Sequence, residues 1–352
     1  MAKLDQICQL NMGQSPDSSS YNENGNGMPF FQGNADFGKV HPKTRVWCSA
    51  PTKIAHVGDI LISVRAPIGA LNIADRECCI GRGLAAITVN EELCNKDYLW
   101  YAIASKVEEL NNKGTGSTFK AISKSVLAET EIPLLPLEEQ QRVAGRLAKV
   151  DELITLRKEQ LAKLDRLVKS RFIELFGDPL KNDKGMPTVL GETLFKLSNG
   201  KALPNSKRFT EGIPAYGGNG ISWYTDEILC DYDTIIVGRV GFQSGNVHLA
   251  KAPLWVTDNA MYISYINSRD CDIRFLCALM ERIDFTRYQD AGDLKKITQK
   301  PFMQMRYLMP PMSLQKQYID FVEQTDKSKL AIQQSLDKLE LLKKSLMQEY
   351  FG

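Results

Sequence analysis

Polar and cationic side chains suited to nucleic-acid contacts recur in the long loops of both halves of this 352-residue chain. Asn, Gln, Ser and Tyr can hydrogen-bond base edges, and Lys and Arg can neutralise phosphates. The first-half candidates are Gln14, Ser15, Tyr21, Asn22, Gln32, Asn34, Lys43, Arg45, Arg65, Lys113 and Lys120. The second-half candidates are Lys201, Lys207, Arg208, Tyr216, Asn219, Arg239, Gln243 and Lys295. Ordinary polar loops contain the same residue types. For each residue taken singly, a DNA contact and an ordinary loop role therefore both remain open.

Catalytic and metal-binding patterns are not supported by the spacing. The three histidines are scattered, no CxxC pair occurs, and neither a GxSxG elbow nor a complete phosphate-binding glycine loop is present. Asp293-Leu294-Lys295 has the Asp-x-Lys shape of a nuclease site, but the matching stretch Thr118-Phe119-Lys120 keeps only the lysine. Phosphate contact therefore fits these stretches better than catalysis. The only Pro-Pro pair follows Met309, unlike the Asn/Asp-Pro-Pro-aromatic motif of DNA methyltransferases, so no catalytic or metal-binding residue is assigned.

An internal repeat of about 175 residues organises the chain. Residues 131–177 align without a gap with residues 306–352, and both segments share a proline near the start, Pro136 or Pro311, and end in Phe-Gly. Weaker matches precede them: Gly58–Arg65 lies over Tyr232–Arg239, which places Arg65 and Arg239 at equivalent strand ends. A salt bridge of either arginine to Asp59 or Asp233 is the competing interpretation.

The two repeated segments are predicted to be helices of roughly 60 Å, at 1.5 Å per residue. Pro136 and Pro311 suit a first helical turn, and Gly177 and Gly352 suit left-handed C-caps. Each heptad seam is interrupted by charge at different places, so the helices are expected to pair with each other rather than lie apart on separate domains. The expected pairing residues are Ile154, Leu161, Leu164, Val168, Ile332, Leu336, Leu339 and Leu346.

The predicted architecture is α+β: two globular domains separated by two long helices that pack as an antiparallel coiled coil with an internal pseudo-two-fold repeat. Short β-like runs and Gly/Asn-rich turns fill the globular segments. The expected boundaries are 1–130 and 179–305 for the globular domains, 131–178 for the central helix and 306–352 for the distal helix.

Composition narrows the class of protein without naming a partner. Lys and Arg total 44 against 42 Asp and Glu, so the net charge is +2 and any basic DNA-binding stripe must arise from the fold. No apolar run approaches a membrane span, and no signal sequence is visible, so a cytoplasmic, non-membrane protein with reduced thiols is expected.

The whole repeat resembles the DNA-specificity (S) subunit of type I restriction–modification systems of bacteria and archaea. Ile132-Pro133-Leu134-Leu135-Pro136-Leu137-Glu138-Glu139-Gln140-Gln141 is similar to the family's P-x-x-E-Q helix opening, although the second copy has Ser313-Leu314-Gln315. Gly13-x-Ser15-Pro16, Gly58–Leu61 and Trp255–Ala260 resemble stretches of its target-recognition domains.

This resemblance implies a non-catalytic reader of double-stranded DNA. Each globular domain would recognise one half of a bipartite, asymmetric target, and the helices would fix the spacer and dock two methyltransferase subunits. A restriction and translocation subunit is a further expected partner in some assemblies. The chain itself would hold no cofactor, and S-adenosylmethionine would bind the methyltransferase. The alternative is a coiled-coil scaffold with two protein- or peptide-binding domains and no DNA role.

Overall fold

The computed structural model describes residues 1–116, 120–292 and 295–352 of the chain. The chain folds into two compact units. Unit 1 consists of residues 1–158 and 334–352, and unit 2 consists of residues 159–333. Each unit therefore combines one globular segment with parts of both long helices.

Unit 1 is built on a four-stranded antiparallel sheet, β2-β10-β7-β8, and a five-stranded mixed sheet, β3-β5-β4-β9-β6. Its strands are β1 Ala2–Lys3, β2 Cys8–Met12, β3 Tyr21–Asn22, β4 Met28–Phe31, β5 Val46–Cys48, β6 Ile54–Ala55, β7 Ile60–Ser63, β8 Leu71–Ile73, β9 Cys78–Ile80, β10 Leu84–Val89 and β11 Glu131–Ile132. Its short helices are α1 Leu4–Ile7, α2 Lys96–Ser105, α3 Val107–Lys113 and α4 Lys124–Ala128. Strands β1 and β11 form a separate two-stranded pair.

Unit 2 repeats this plan with a four-stranded sheet, β13-β19-β16-β17, and a three-stranded mixed sheet, β15-β14-β18. Its strands are β12 Thr188–Leu190, β13 Phe195–Asn199, β14 Ile213–Gly217, β15 Gly220–Thr225, β16 Thr234–Gly238, β17 Val247–Ala250, β18 Trp255–Val256, β19 Ala260–Ile266 and β20 Arg306–Leu308. Its short helices are α6 Gly191–Leu194, α7 Ile273–Met280 and α8 Lys300–Gln304. Strands β12 and β20 pair as β1 and β11 do.

The long helices are α5, Leu137–Phe176, and α9, Met312–Phe351, of 40 residues each. Both begin one residue after the predicted proline, whose carbonyl instead accepts the first helical hydrogen bond, as from Gln140 to Pro136 at 2.9 Å. Gly177 has a φ of +77°, the left-handed conformation expected of a C-capping glycine.

The two long helices pack on each other in both units. In unit 1, Lys343 Nζ lies 2.6 Å from Asp151 Oδ1, and Arg146 donates to the Tyr350 hydroxyl at 3.0 Å. Because residue numbers fall along α9 as they rise along α5, the pairing is antiparallel. In unit 2, Lys329 Nζ lies 2.7 Å from Asp165 Oδ1. The lysines that interrupt the apolar seam of α9 are thus paired with aspartates of α5, and the predicted helix–helix pairing is confirmed.

Aromatic residues at the ends of the long helices complete the two cores. Phe351 of α9 is 2% exposed and packs 5.1 Å from the ring of Tyr98 in unit 1. Phe176 of α5 is fully buried and lies 4.9 Å from Phe275 in unit 2. The repeated Phe-Gly ending is therefore a packing feature: each globular segment buries the last turn of a long helix.

A buried glutamine attaches the start of each long helix to its unit. Gln140 is fully buried; its Oε1 accepts from the Asn95 N–H at 2.7 Å, and its Nε2 donates to the carbonyls of Leu93 at 3.2 Å and Leu135 at 2.7 Å. Gln315 makes the same set in unit 2, with the Asp272 N–H and the carbonyls of Asp270 and Pro310. The glutamine shared by the two helix openings thus satisfies backbone groups at the start of α2 and α7.

Candidate nucleic-acid interface

Several strand ends of unit 1 meet at one short loop, Gly81–Gly83, which we call junction loop 1. Five main-chain hydrogen bonds connect it to its neighbours. These are Gly13 N to Leu84 O (2.9 Å), Gln14 N to Ile80 O (3.0 Å), Gly81 N to Phe31 O (2.8 Å), Gly83 N to Gln32 O (3.1 Å) and Val64 N to Gly83 O (2.9 Å). The ends of β2, β4, β7, β9 and β10 are thereby held together.

Glycine is required where these strands approach one another most closely. A Cβ on Gly13 would lie 2.2 Å from the carbonyl oxygen of Gly81, and a Cβ on Gly83 would lie 2.3 Å from that of Gln32. Both contacts are with backbone, which cannot move aside. The glycines that the sequence presents as plain turns are therefore the places where the strands make backbone-to-backbone contact.

Junction loop 1 brings together candidates that are far apart in the sequence. Gln14, Gln32, Arg65 and Lys120 are exposed around it, and Ser15 Oγ accepts from the N–H of Arg82 at 3.3 Å. The Ala66 N–H donates to the Lys120 carbonyl at 3.0 Å, which ties the lysine to the end of β7.

Arg82 itself is exposed at the tip of the loop. Sequence reasoning does not identify it, because its flanking glycines indicate a simple turn. The signal that could identify it is a lone cation between two glycines.

The other unit 1 candidates lie elsewhere and mostly have partners within the protein. The Tyr21 hydroxyl donates to the Pro16 carbonyl at 2.9 Å, Arg45 is ion-paired with Asp36 at 2.5 Å, and Lys113 is ion-paired with Glu109 at 2.6 Å. The remaining candidates lie in the loops around β3 and β4; they are Asn22, Asn34 and Lys43. Asn22 hydrogen-bonds the backbone of Asn24 and Asn26. All six stay predictions as DNA contacts.

Unit 2 contains the same arrangement around Thr257–Asn259, which we call junction loop 2. The equivalent bonds are Gly200 N to Ala260 O (2.9 Å), Lys201 N to Val256 O (2.8 Å), Thr257 N to Tyr216 O (2.9 Å) and Arg239 N to Asn259 O (2.9 Å). A Cβ on Gly200 would lie 2.0 Å from the Thr257 carbonyl oxygen, so the same close approach is repeated.

The side chains on this shared backbone differ between the units. Asp258 stands where unit 1 has Arg82, and Lys201 stands where it has Gln14. Lys295 is the counterpart of Lys120, since the Gly241 N–H donates to its carbonyl at 2.8 Å. The two junctions thus share a frame but present different hydrogen-bonding groups.

The hydrogen bonds correct the alignment of Arg65 with Arg239. Ile122 N donates to Val64 O and Ile297 N donates to Arg239 O, both at 2.9 Å, so Arg239 corresponds to Val64. Arg65 corresponds to Val240, and each bridges the segment that precedes its unit's isoleucine. A one-residue slip turns a strand side chain to the opposite face. Arg65 and Arg239 therefore occupy positions of the repeat that are one residue apart, not the same position.

The salt bridges that competed with a DNA role for these arginines are absent from the described residues. Asp59 is buried and accepts from the His56 N–H at 2.8 Å, and Asp233 pairs with Lys251 at 2.6 Å. Arg239 donates to the Asp258 carbonyl at 3.3 Å. The arginines stay candidates for DNA contact.

The remaining unit 2 candidates surround β14 and β15. Lys207 pairs with Asp226 and Glu227, both at 3.2 Å, and hydrogen bonds to these carboxylates raise its pKa. Arg208 stacks over Trp223 at 5.1 Å. Asn219 is exposed at the β14–β15 turn; Tyr216 and Gln243 are half-buried.

An exposed aromatic and a half-buried histidine flank this region. Phe242 is 89% exposed in the loop between β16 and β17 and was not among the sequence candidates. The ring of His248 lies 5.7 Å from that of Tyr216, and its burial lowers its pKa. His248 borders a cleft of about 720 Å³ together with Asn219, Glu281 and Asp284.

Three further features of the described residues concern metal-binding groups, cysteines and membrane spans. Within residues 1–116, 120–292 and 295–352, no group of three or more His, Cys, Asp or Glu could hold a metal ion. Asp293 and Leu294 of the considered nuclease triplet, and Thr118 and Phe119 of its counterpart, lie outside the described residues. The eight cysteines are free and buried; burial raises the pKa of Cys78 in β9 to about 12. No helix in the described part of the chain is both long and apolar enough to span a membrane.

The proposed helix-pairing residues lie away from solvent on α5 and α9. Ile154 and Leu336 are buried, at 8% and 5% exposure. The others are half-buried: Leu161, Leu164, Val168, Ile332, Leu339 and Leu346. Their individual contributions to pairing stay predictions.

Known proteins share this fold, and others are similar in sequence to its first part. The S subunit of a type I restriction–modification system from M. genitalium has a crystal structure that matches with a TM-score of 0.67 and 18% identity, covering 99% of this chain and 95% of that one. This likeness defines the fold: two α+β units, each of which includes parts of both long helices.

Sequence comparison finds relatives for the first part of the chain. Residues 1–166 match the type I restriction modification DNA specificity domain. A putative type I restriction enzyme MjaX specificity subunit from Methanocaldococcus jannaschii is 44% identical over 158 residues, which cover 45% of this chain and only 37% of the length of that protein. A putative type I specificity subunit of Mycoplasma genitalium is 25% identical over 264 residues, covering 70% of this chain and 67% of the relative. Residues 1–166 of this chain are therefore similar to the DNA specificity domain of type I restriction–modification systems.

Proposed function

We propose that this chain is the DNA-reading subunit of a type I restriction–modification complex and that each unit reads one half of a bipartite target. The observation that carries the proposal is the repeated junction: one main-chain frame presents Gln14 and Arg82 in unit 1 but Lys201 and Asp258 in unit 2. Different donors and acceptors on equivalent frames select different bases. The two half-sites therefore differ, and the target is asymmetric.

The paired helices set the spacing between half-sites in this proposal. Each helix contributes one part to unit 1 and one to unit 2, and ion pairs of Asp151 with Lys343 and Asp165 with Lys329 lock the register. Spacing between recognition elements determines spacing between half-sites in other DNA readers.

Two methyltransferase subunits dock on the helices. Leu167 and Leu342, which the repeat makes equivalent, are 48% and 45% exposed. Two similar apolar positions on pseudo-symmetric helices suit two copies of one partner.

In this proposal the partner subunits carry out the catalytic reactions. The chain is non-catalytic, the methyltransferases bind S-adenosylmethionine, and a restriction and translocation subunit joins in assemblies that also cleave DNA. Double-stranded DNA in the cytoplasm is the substrate of the complex. With a net charge of +2, the chain alone binds DNA weakly and depends on added basic surface from its partners.

Shortening both helices together tests the spacing proposal. Removing four residues of α5 between Leu153 and Leu167, and the four equivalent residues of α9, shortens the paired helices by about 6 Å, or roughly two base pairs. Methylome sequencing of cells carrying the complex should show both half-sites unchanged and the spacer shortened. A four-residue insertion at the exposed Asn182–Gly185 turn is the control and should leave the spacer unchanged.

Altered half-sites, or a spacer that does not respond, would contradict the helical ruler. Salt-dependent duplex binding by the purified complex addresses the wider proposal, because phosphate contacts weaken linearly with log salt. Absence of any DNA binding by that complex would favour the protein-binding scaffold instead.

A further inference from the structure

Arg82 and Asp258 occupy the same place in the two recognition units. Each is the central residue of its junction loop, and the residues around it make equivalent main-chain bonds: Leu84 N to Gly81 O in unit 1 and Ala260 N to Thr257 O in unit 2, both at 3.0 Å. Both side chains are exposed. A shared frame with opposite charges at its tip suits contact with different chemical groups in the two units.

We propose that these two residues discriminate bases: Arg82 reads a guanine in one half-site, and Asp258 reads a cytosine in the other. The inference rests on the proposed function and identifies where its specificity resides. Arginine pairs bidentately with guanine O6 and N7 in the major groove, whereas a carboxylate accepts from cytosine N4. The cationic residue thus requires hydrogen-bond acceptors on the base edge, and the anionic residue requires a donor.

Both side chains are available for such contacts. Among the described residues, neither the Arg82 guanidinium nor the Asp258 carboxylate has an ion-pair partner. Arg239 approaches Asp258 only at its backbone carbonyl, at 3.3 Å, which leaves the carboxylate free. Arg45, in contrast, is held by Asp36, and Lys207 by Asp226 and Glu227.

The loop backbone is fixed before any ligand arrives. Ser15 Oγ accepts from the Arg82 N–H at 3.3 Å, and the flanking glycines are pressed against Gln32 and Phe30. A side chain on a preorganised backbone loses less freedom on binding, which favours base reading over loose electrostatic attraction.

The residues around each tip supply the phosphate contacts that base reading needs. Lys120 is tied to the end of β7 in unit 1, and its counterpart Lys295 is tied to the loop after β16 in unit 2. The lysine is retained while the tip residue changes. Phosphate contacts position a protein on DNA without reading sequence, whereas base contacts must differ between half-sites.

Selection from a randomised duplex library tests the assignment, using the full chain produced with its methyltransferase subunit. Arg82→Ala should lose guanine preference at one position of one half-site, on the order of 10- to 100-fold. Asp258→Asn should change one position of the other half-site from cytosine to adenine, because asparagine pairs bidentately with adenine N6 and N7. Arg76→Ala and Asp231→Asn, exposed residues of matched type away from the loops, should leave the motif unchanged.

Each outcome of the selection supports or overturns base reading by Arg82 and Asp258. If Arg82→Ala weakens binding equally for all sequences and lowers the salt slope by about one, Arg82 contacts phosphate and the inference is wrong. An unchanged motif in Arg82→Ala and Asp258→Asn, with a bipartite wild-type motif, overturns the inference alone. A wild-type complex that selects no bipartite motif overturns the proposed function with it. Arg82→Gln, with its melting temperature as control, serves if the alanine variant fails to fold.

Discussion

Replacing Gln140 with methionine should destabilise unit 1 by about 2–4 kcal/mol while leaving unit 2 folded. The fully buried amide makes three hydrogen bonds, to Asn95 N–H and to the carbonyls of Leu93 and Leu135. A hydrogen bond between neutral groups contributes about 0.5–1.5 kcal/mol net, and a buried group left without a partner costs about 1–3 kcal/mol. Methionine has similar length, so the loss reflects the polar groups rather than a cavity.

Hydrogen exchange of the full chain, resolved by mass spectrometry, separates the two units. Protection should fall around Asn95 and α2 in Gln140→Met and remain unchanged around Asp272 and α7. Gln315→Met should produce the reverse pattern, since it makes the equivalent bonds in unit 2. Gln141→Met, at the exposed neighbouring position, is the matched control.

A carboxylate at the same position provides an independent check. Gln140→Glu keeps the acceptor for Asn95 but places a second oxygen against the carbonyls of Leu93 and Leu135. Protonation restores one donor, so this variant should regain stability as the pH falls. If Gln140→Met is no less stable than Gln141→Met, or if both units lose protection equally, the attachment role is refuted.

The remaining predictions concern packing, the helix pair and pH. In urea unfolding, Gly13→Ala should destabilise unit 1 by about 2–4 kcal/mol because its Cβ would meet backbone at 2.2 Å. Gly145→Ala, in open space on α5, should instead stabilise the chain by about 0.5–1 kcal/mol. Asp151→Asn should lower the unfolding free energy by about 1–2 kcal/mol, since Asp151 pairs with Lys343 at 2.6 Å and accepts from Tyr101 at 3.0 Å. The control Glu340→Gln, at a more exposed ion pair, should change the unfolding free energy by under about 0.5 kcal/mol. Burial keeps the pKa of His248 below its ordinary value, so the unfolded chain binds more protons and stability falls as pH drops through the ordinary histidine range. His248→Gln should therefore lose less stability than the wild type between pH 7 and 5, and an equal loss would contradict this assignment.

The long helices are the part of the fold that sequence patterns determine most directly. The prolines are local signals, and they place both helix starts within one residue of Leu137 and Met312. The apolar run at 84–89 likewise predicts a strand with the observed limits. Local propensity and local periodicity suffice for these features.

The interface could be predicted only in part because it is made by non-local main-chain bonds. Gln14, Gln32 and Arg65 can be identified individually, but nothing in their spacing shows that they meet at Gly81–Gly83. Arg82 escapes sequence reasoning because its flanking glycines indicate an ordinary turn. The alignment of Arg65 with Arg239 was wrong by one residue because sequence identity favours matching the arginines, whereas the register follows the bonds of Ile122 and Ile297.

The closely packed glycines of the junctions separate the residues that hold the fold from the exposed residues at the loop tips. Gly13, Gly83 and Gly200 hold the strand ends through backbone contacts, while the tips at Arg82 and Asp258 face solvent. Exposed substitutions usually change stability by under about 0.5 kcal/mol. Mutations at the tips can therefore accumulate without loss of the fold. Under the proposed function, a change at one tip would alter one half-site while the other half-site is kept.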